Sequence, residues 1–199
     1  MMRGGRRRAP RAALTGDGEM RRALLVRHCE TDGQWPDAAL TARGREQADA
    51  LAAFLAAQPI DRIVSSPYAR PRASIEPFAR RTGLAIAIDD GLAERRLSRE
   101  PIAHWREVVE RSFSEPDLRV DGGESAAETR ARGWAALQGV LARGDRLPVV
   151  VSHGQLLSLV LHAIDPSFGF AGWAAMSNPD VFLLEARPGG GFAFQRLWR

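Results

Sequence analysis

Residues 23–30 read ALLVRHCE, so that four apolar residues run directly into an arginine and a histidine. An apolar run that ends this abruptly predicts a buried β-strand whose carboxyl end carries Arg27 and His28. A fixed positive charge beside a nucleophilic imidazole suits chemistry on an anion, above all a phosphate. A second such point lies downstream, where VVV at residues 149–151 runs into a serine and His153.

Short apolar runs alternate with longer helical patterns, which predicts an α/β fold with a largely parallel sheet. The predicted central strands are Ala23–Arg27, Arg62–Ser65, Ala85–Ile88 and Val149–Ser152. Helices are predicted from an N-cap at Thr41 to about Ala57, from Arg70 to Thr82, from a capping box at Ser125 to Gly144, and from Gln155 to Ala163. Pro77 is expected to kink the second helix or to reset its start. A hairpin at the sheet edge is predicted from Val181–Ala186 and Phe192–Trp198.

This layout predicts where a site would form. Ligands of open α/β sheets bind beyond the carboxyl ends of the strands. Arg27 and His28, Ser65 and the serine after it, and His153 end three predicted strands, so they are expected to meet at one edge of the sheet. The helices that begin near Arg70 and Gln155 would point their N-termini at the same place, which favours an anion.

Composition narrows the class of protein. At 199 residues, with 45% hydrophobic and 26% charged residues, the chain is expected to form one globular domain. Cys29 is the only cysteine, which excludes an internal disulfide and a zinc site built from several cysteines. No apolar stretch is long enough to span a bilayer, so we expect no membrane partner and a cytoplasmic location.

The positive charge is concentrated at the N-terminus. The first 22 residues hold seven arginines against Asp17 and Glu19, a net charge of +5, whereas the whole chain carries +4. Residues 23–199 are therefore close to neutral, and we expect no nucleic-acid partner for them. The Gly/Arg-rich segment 1–22 is predicted to be a disordered tail, and 23–199 to be the folded domain.

Six segments, taken in order, resemble the histidine phosphatase superfamily, the phosphoglycerate-mutase-like group. They are LVRHCET at residues 25–31, LTARGREQA at 40–48, SSPYAR at 65–70, LAER at 92–95, GGES at 122–125 and VSHG at 151–154. Residues 74–79 and 177–180 are similar to a small bacterial branch of this family. The resemblance implies a three-layer α/β fold: a mostly parallel sheet with helices on both faces and an antiparallel edge.

The resemblance also implies roles for single residues. His28 would attack phosphorus and become a phosphohistidine, while Arg27, Arg70 and His153 would bind the phosphoryl oxygens. Glu94 would protonate the leaving alcohol and later deprotonate water. No cofactor or metal would be needed, because arginine and histidine supply the positive charge. The implied substrate is a small phosphorylated metabolite, and the positive charge around His28 is expected to keep its imidazole neutral.

Several alternatives stand beside these roles. Glu94 lies in a charged stretch and could be a solvated surface glutamate, and Arg72 competes with Arg70 for the phosphate role. Glu30 could orient the pocket or act in local capping, as could the threonine that follows it. The remaining histidines, His104 and His162, are predicted to be structural, and the five tryptophans to pack in the core or at its rim.

Departures from the family pattern concern the leaving-group side. Cys29 replaces the usual glycine, which should reduce backbone freedom there. The segment between Glu94 and Gly122 is short for the large mutases, which favours a phosphomonoesterase. A phosphoglycerate mutase is the alternative enzyme. A phosphate-binding regulatory module without turnover is the alternative from another class.

Overall fold

The computed structural model describes residues 21–198, which form a six-stranded sheet with the strand order β3-β2-β4-β1-β5-β6. The strands are β1 Arg22–Arg27, β2 Arg62–Ser65, β3 Ile86–Ile88, β4 Pro148–Ser152, β5 Asp180–Ala186 and β6 Phe192–Arg196. Strands β1 to β4 are parallel, whereas β5 runs antiparallel to both β1 and β6. The predicted parallel sheet with an antiparallel hairpin edge is confirmed.

Helices cover both faces of this sheet. They are α1 Ala42–Leu55, α2 Ala69–Thr82, α3 Trp105–Arg111, α4 Ala126–Leu141, α5 Gly154–Ile164 and α6 Phe170–Ala174. Successive side chains of a strand point to opposite faces. Accordingly Leu24 packs into a core cluster with α1 and α2, whereas Leu25 packs into a second cluster with α4 and α5. The predicted three-layer α/β architecture is confirmed.

Local sequence signals account for three of the helix ends. Thr41 Oγ1 accepts a hydrogen bond from the backbone N–H of Gly44 at 2.9 Å and so begins α1. Gly83 ends α2 with a φ of 74°, in the left-handed region that glycine enters without a side-chain clash. The capping box predicted at Ser125 begins α4. Pro77 lies inside α2, which starts at Ala69, so the predicted reset of its start is wrong.

Three other predictions differ in detail from the structure. The run Ala85–Ile88 was predicted to be a central strand, but β3 is an edge strand that pairs with β2 alone. Accordingly, the side chain of Ile88 is 49% exposed. The prediction was wrong because an apolar run does not by itself distinguish a central strand from an edge strand. Helix α4 ends at Leu141, before the predicted Gly144. Strand β1 begins at Arg22, one residue inside the predicted tail, and residues 1–20 of that tail lie outside the described residues.

The sheet brings the strand ends together as its topology requires. The backbone N–H of His28, just after β1, donates to Ser152 O at the end of β4 at 3.1 Å. On the other side of β4, the N–H of Ser66, just after β2, donates to Val151 O at 2.9 Å. Three loops therefore meet at one edge. Among residues 21–198, no helix has the length and apolar character needed to cross a membrane.

Candidate active site

The imidazole of His28 is held in one tautomer by contacts at both ring nitrogens. Its Nδ1 lies 2.7 Å from Cys29 O, and a carbonyl oxygen can only accept, so Nδ1 carries the proton. Its Nε2 accepts a hydrogen bond from Arg70 Nε at 3.1 Å, which requires a free lone pair on Nε2. The side chain is 6% exposed. Nε2 of His28 is therefore a buried, neutral nitrogen with nucleophilic character.

Arg70, at the start of α2, is the arginine that faces this nitrogen. It is 1% exposed, and its Nη1 donates to Gln34 O at 3.1 Å and to Trp35 O at 2.8 Å. These two carbonyls anchor one side of the guanidinium. Arg72, the competing candidate, is exposed on the surface of α2, so the sequence choice of Arg70 agrees with the geometry.

Arg27 approaches the site from the end of β1. Its Nη1 donates to the carbonyl oxygens of Met176 and Ser177 at 2.9 and 3.4 Å. Its Nε is buried and has no hydrogen-bond partner within residues 21–198. A Cβ added at Gly154 would lie 3.2 Å from this Nε, so the glycine leaves room for the guanidinium beside the start of α5. A buried N–H without a partner is a donor available to a ligand.

His153 completes the group from the end of β4. It is fully buried, and its ring centroid lies 5.2 Å from that of His28. Its Nε2 shares a hydrogen bond of 2.7 Å with Ser66 Oγ, whereas its Nδ1 has no partner in the described part of the chain. The predicted convergence of the two histidines is thus present in the fold.

Glu94 caps helix α5. Its Oε1 accepts hydrogen bonds from the backbone N–H groups of Arg95 at 2.8 Å and Leu156 at 3.1 Å, and its Oε2 accepts from Gln155 at 3.2 Å. The first N–H groups of a helix have no partner within the helix, and a carboxylate there is favoured by the helix dipole. Glu94 is therefore fixed by three donors and is not a freely solvated surface residue.

The charge of Glu94 reaches the arginines of the site. Burial lowers the pKa values of Arg27 and Arg70, and in each case the Glu94 carboxylate opposes that lowering more than any other charge. Buried guanidiniums without nearby negative charge would be costly. Glu94 therefore compensates the positive charge of these two buried arginines.

Burial is the main reason that His28 stays neutral. It lowers the pKa of His28 from 6.5 to about 3, and the charges of Arg70 and Arg27 act in the same direction, while the bond to Cys29 O opposes them. Burial likewise lowers the pKa of His153 well below 6.5, with His28 and the arginines contributing. The sequence predicted neutrality from the positive charges, but the loss of hydration is the larger cause.

This neutrality predicts a pH-dependent stability. Between pH 6.5 and 3 the unfolded chain protonates His28 and the native state does not, so stability is present above pH 6.5 and is lost as the pH falls. Over the step from pH 7 to pH 5 this histidine should remove about 2 kcal/mol from the free energy of unfolding. Urea unfolding of the wild type and of His28→Asn, each at about pH 7 and about pH 5, measures this loss in the free energy of unfolding. The loss should be smaller in the variant, whereas exposed His104→Asn should match the wild type.

Four supporting residues were not assigned a role from the sequence. Asn178 Nδ2 donates to His28 O at 2.7 Å, and Ser74 Oγ accepts from Cys29 N at 2.9 Å. Ser66 binds His153 as described, and the Tyr68 ring lies edge-on to His153 with centroids 5.0 Å apart. Asn178 and Ser74 thus fix the peptide group between His28 and Cys29 from both of its polar atoms. Their signal in the sequence was their position in the segments that resemble the family.

Cys29 does not disturb the site. No residue other than glycine has a positive φ within 21–198, so the cysteine that replaces the family glycine fits an ordinary backbone conformation. Its side chain is fully buried, and burial raises the pKa of its thiol to about 11. A protonated, buried thiol is a weak nucleophile. The expected loss of backbone freedom therefore carries no visible penalty.

The remaining candidates lie outside the pocket or at its rim. Glu30 Oε1 accepts from Thr41 Oγ1 at 2.8 Å, which is a local capping contact. His104 is exposed and makes no side-chain cap bond, so it has no evident structural role, whereas His162 packs edge-on to Phe113. Trp134 and Trp198 pack against phenylalanines, as expected for rim residues, whereas Trp35 is 66% exposed, so the packing predicted for the tryptophans is wrong there.

Comparison with known proteins agrees with this geometry. The profile of the histidine phosphatase superfamily (branch 1) matches residues 23–197. A probable phosphoglycerate mutase GpmB of Shigella boydii is 32% identical over 177 residues, covering 78% of this chain and 79% of the relative.

Solved structures give the same assignment. A mycobacterial glucosyl-3-phosphoglycerate phosphatase in complex with inorganic phosphate matches with a TM-score of 0.72 and 26% identity, covering 89% of this chain and 96% of that one. A protein described as mycobacterial hydrolase 1 matches with a TM-score of 0.74 and 25% identity, covering 90% and 98%. Because the family profile spans nearly all of the described fold and its signature segments converge at one edge of the sheet, this chain belongs to the histidine phosphatase superfamily, branch 1.

Proposed function

We propose that the protein is a metal-independent phosphomonoesterase that hydrolyses a small phosphorylated metabolite through a phosphohistidine on His28. The observation that carries this proposal is the pair of contacts on one imidazole: Nδ1–H to Cys29 O and a free Nε2 facing Arg70 Nε. The first contact fixes the tautomer, and the second places a cation where the phosphoryl group would arrive.

In the first step, the lone pair of His28 Nε2 attacks phosphorus as the bond from phosphorus to the leaving oxygen breaks. Before this attack, Arg70 exchanges its contact with Nε2 for a phosphoryl oxygen, which frees the lone pair, while Gln34 O and Trp35 O keep the other side of the guanidinium in place. The imidazole ring becomes positive as the P–N bond forms, and Cys29 O stabilises its Nδ1–H. Glu94, which takes up a proton when the negatively charged phosphate ester binds beside it, gives that proton to the leaving oxygen.

Arg27 and His153 supply further hydrogen-bond donors to the phosphoryl group. Arg27 contributes its unpartnered Nε–H. When Ser66 Oγ–H donates to His153 Nε2, the proton of His153 resides on Nδ1, which then donates to a phosphoryl oxygen. The neutral imidazole serves as a hydrogen-bond donor here, in keeping with its lowered pKa.

In the second step, water attacks the phosphorus bound to His28 Nε2, and the P–N bond breaks. Glu94 accepts the proton of that water, and His28 returns to its neutral state. This proton leaves with the departing phosphate, so Glu94 returns to the carboxylate form of the resting site. Phosphate then leaves, and Arg70 regains its contact with Nε2. The charges of Arg27 and Arg70 offset the phosphate throughout, so this scheme requires no metal ion.

The single buried cysteine is compatible with the cytoplasmic location that we propose.

The relatives support both this proposal and its main alternative. One related structure is a phosphatase holding inorganic phosphate, and the curated relatives are named probable phosphoglycerate mutases. A mutase must retain its substrate and return the phosphoryl group to a second hydroxyl. The third possibility is a module that binds phosphate without turnover.

Hydrolysis of p-nitrophenyl phosphate in the presence of EDTA tests the proposal. We expect turnover that EDTA leaves unchanged, since arginines supply the charge that a metal would provide. Interconversion of 3- and 2-phosphoglycerate faster than release of phosphate would instead identify a mutase. Saturable binding of phosphate or vanadate without turnover would identify the binding module. A screen of phosphorylated metabolites would then define the substrate.

A further inference from the structure

We propose that Glu124 and Arg132 are positioning residues for Glu94, holding its loop so that the carboxyl group can exchange a proton at the leaving oxygen. This inference rests on the proposed function. Neither residue touches His28 in the structure; both act on the backbone around Glu94. We refer to Glu124 and Arg132 together as the clamp.

Arg132, on helix α4, uses three guanidinium nitrogens in the clamp. Its Nη1 donates to Gly91 O at 2.9 Å and to Ala93 O at 2.8 Å, which lie three residues and one residue before Glu94. Its Nε and Nη2 donate to the two carboxylate oxygens of Glu124 at 3.1 and 2.9 Å. A guanidinium is suited to this task, because its donors lie in one plane with fixed directions.

Glu124 holds the other side of the loop. Its Oε2 accepts from the backbone N–H of Arg96 at 3.1 Å, and its own N–H donates to Arg96 O at 2.7 Å. Its carbonyl oxygen accepts from Arg95 Nε at 3.1 Å. Gly123, just before it, allows this approach, because an added Cβ would lie 2.2 Å from Leu97 O. The clamp therefore grips the chain both before and after Glu94.

The loop needs such support because it has no regular secondary structure. A short 3-10 helix ends at Leu92, and residues 93–98 are neither helix nor strand. Glu94 itself is tied to the start of α5 by Gln155 and Leu156. A displacement of about 1 Å at a reacting group can cost on the order of 10²-fold in rate. The clamp joins α4 to this loop and fixes its distance from the pocket.

The ion pair between Arg132 and Glu124 is partly buried and bidentate, so it restricts the relative orientation of the two side chains. The side chains of Arg132 and Glu124 are each 25% exposed, and their contact is bidentate. Bidentate pairs restrict orientation more than single contacts do. The pair between Arg119 and Glu128 lies at the start of the same helix, one turn before Arg132, and both of its side chains are exposed, which makes it a matched control.

The test is the dependence of kcat/KM on the leaving group, measured for phosphate esters from nitrophenol to alkyl alcohols. Loss of a general acid slows poor leaving groups most, by about 10²- to 10⁴-fold. We expect Glu94→Gln to follow this pattern, and Arg132→Gln and Glu124→Gln to follow it at about 10- to 10²-fold. For nitrophenyl phosphate each clamp variant should retain activity within about threefold, since this leaving group needs little protonation. Arg119→Gln should match the wild type throughout.

Double variants separate positioning from a merely structural role. If the clamp acts through Glu94, adding Arg132→Gln to Glu94→Gln should cause no further loss with alkyl substrates. Arg132→Lys should recover part of the activity, because a lysine reaches one carbonyl but cannot form the bidentate pair. Equal losses for all leaving groups, or additive losses in the double variant, would overturn the positioning role. If Glu94→Gln itself shows no leaving-group dependence, the acid role falls and the positioning role falls with it, while hydrolysis through His28 stands.

Discussion

Replacing His28 by alanine is expected to lower kcat for phosphate ester hydrolysis by about 10⁴-fold or more, the scale seen when a covalent nucleophile is removed. The expectation follows from the structure, because Nε2 of His28 is the unprotonated ring nitrogen that faces a guanidinium donor. Arg27, Arg70 and His153 remain in the variant, so binding of phosphate should survive while turnover does not. The loss should therefore appear in kcat more than in KM.

Covalent labelling provides the direct measurement. Brief reaction of the wild type with a ³²P-labelled ester, followed by rapid denaturation, should leave an acid-labile adduct on His28. His28→Ala should carry no label, whereas His104→Ala, which changes an exposed histidine, should be labelled as the wild type is. Cys29→Ala should also keep the label, because the buried thiol has a raised pKa and is not the expected nucleophile. A labelled His28→Ala variant would disprove the phosphohistidine scheme.

The residues at the ends of parallel strands could be predicted because topology determines where they meet. The apolar runs before His28 and His153 indicated strands, and the carboxyl ends of parallel strands share one edge of a sheet. That rule brought together residues that lie far apart in the sequence, and the 5.2 Å separation of the two imidazoles agrees with it. Arg70 is the second residue of α2, which begins after the short loop that follows β2. Its position at this edge of the sheet could therefore be predicted as well.

The contribution of the antiparallel strand was harder to predict. Strand β5 starts at the edge where β1 ends, so the loop before it, which carries Asn178, enters the site. The sequence predicted the hairpin that contains β5, but it did not predict that β5 pairs with β1. That pairing places the loop before β5 at the site. The carbonyls that bind Arg27, from Met176 and Ser177, come from the same loop. Backbone acceptors of this kind have no residue-type signature, so the sequence alone does not reveal them.

Glu94 shows a further limit of sequence reasoning. Its place in the charged stretch with Arg95 and Arg96 left a solvated surface position open as the alternative to the acid role. In the structure Arg95 is 5% exposed and donates to Glu124 O and Ser112 Oγ. Burial of an arginine depends on acceptors supplied by distant segments. The loop's place near the pocket was therefore decided by tertiary contacts and not by local pattern.

Replacing Arg70 by alanine is the second change with a large expected effect, about 10³-fold or more in kcat/KM, since a preorganised donor to a developing charge is worth about 10²- to 10³-fold on its own. The buried guanidinium contributes a positive charge as well as donors. Its removal also leaves Gln34 O and Trp35 O without their donor. Arg72→Ala, two residues along the same helix and exposed, is the matched control and should retain full activity.

A shift in the pH profile distinguishes the electrostatic role of Arg70 from a loss of packing. Its charge helps to lower the pKa of His28, although burial is the larger cause. In Arg70→Ala the pKa of His28 should rise towards 6.5, both because the charge is gone and because water can reach the ring. Since only the neutral imidazole attacks phosphorus, the acidic limb of the residual activity should move to higher pH.

In Arg70→Lys, which keeps the positive charge but loses the planar set of guanidinium donors, the acidic limb should stay nearer its original position while kcat/KM still falls. An unchanged acidic limb in both variants would mean that Arg70 does not control the protonation of the nucleophile.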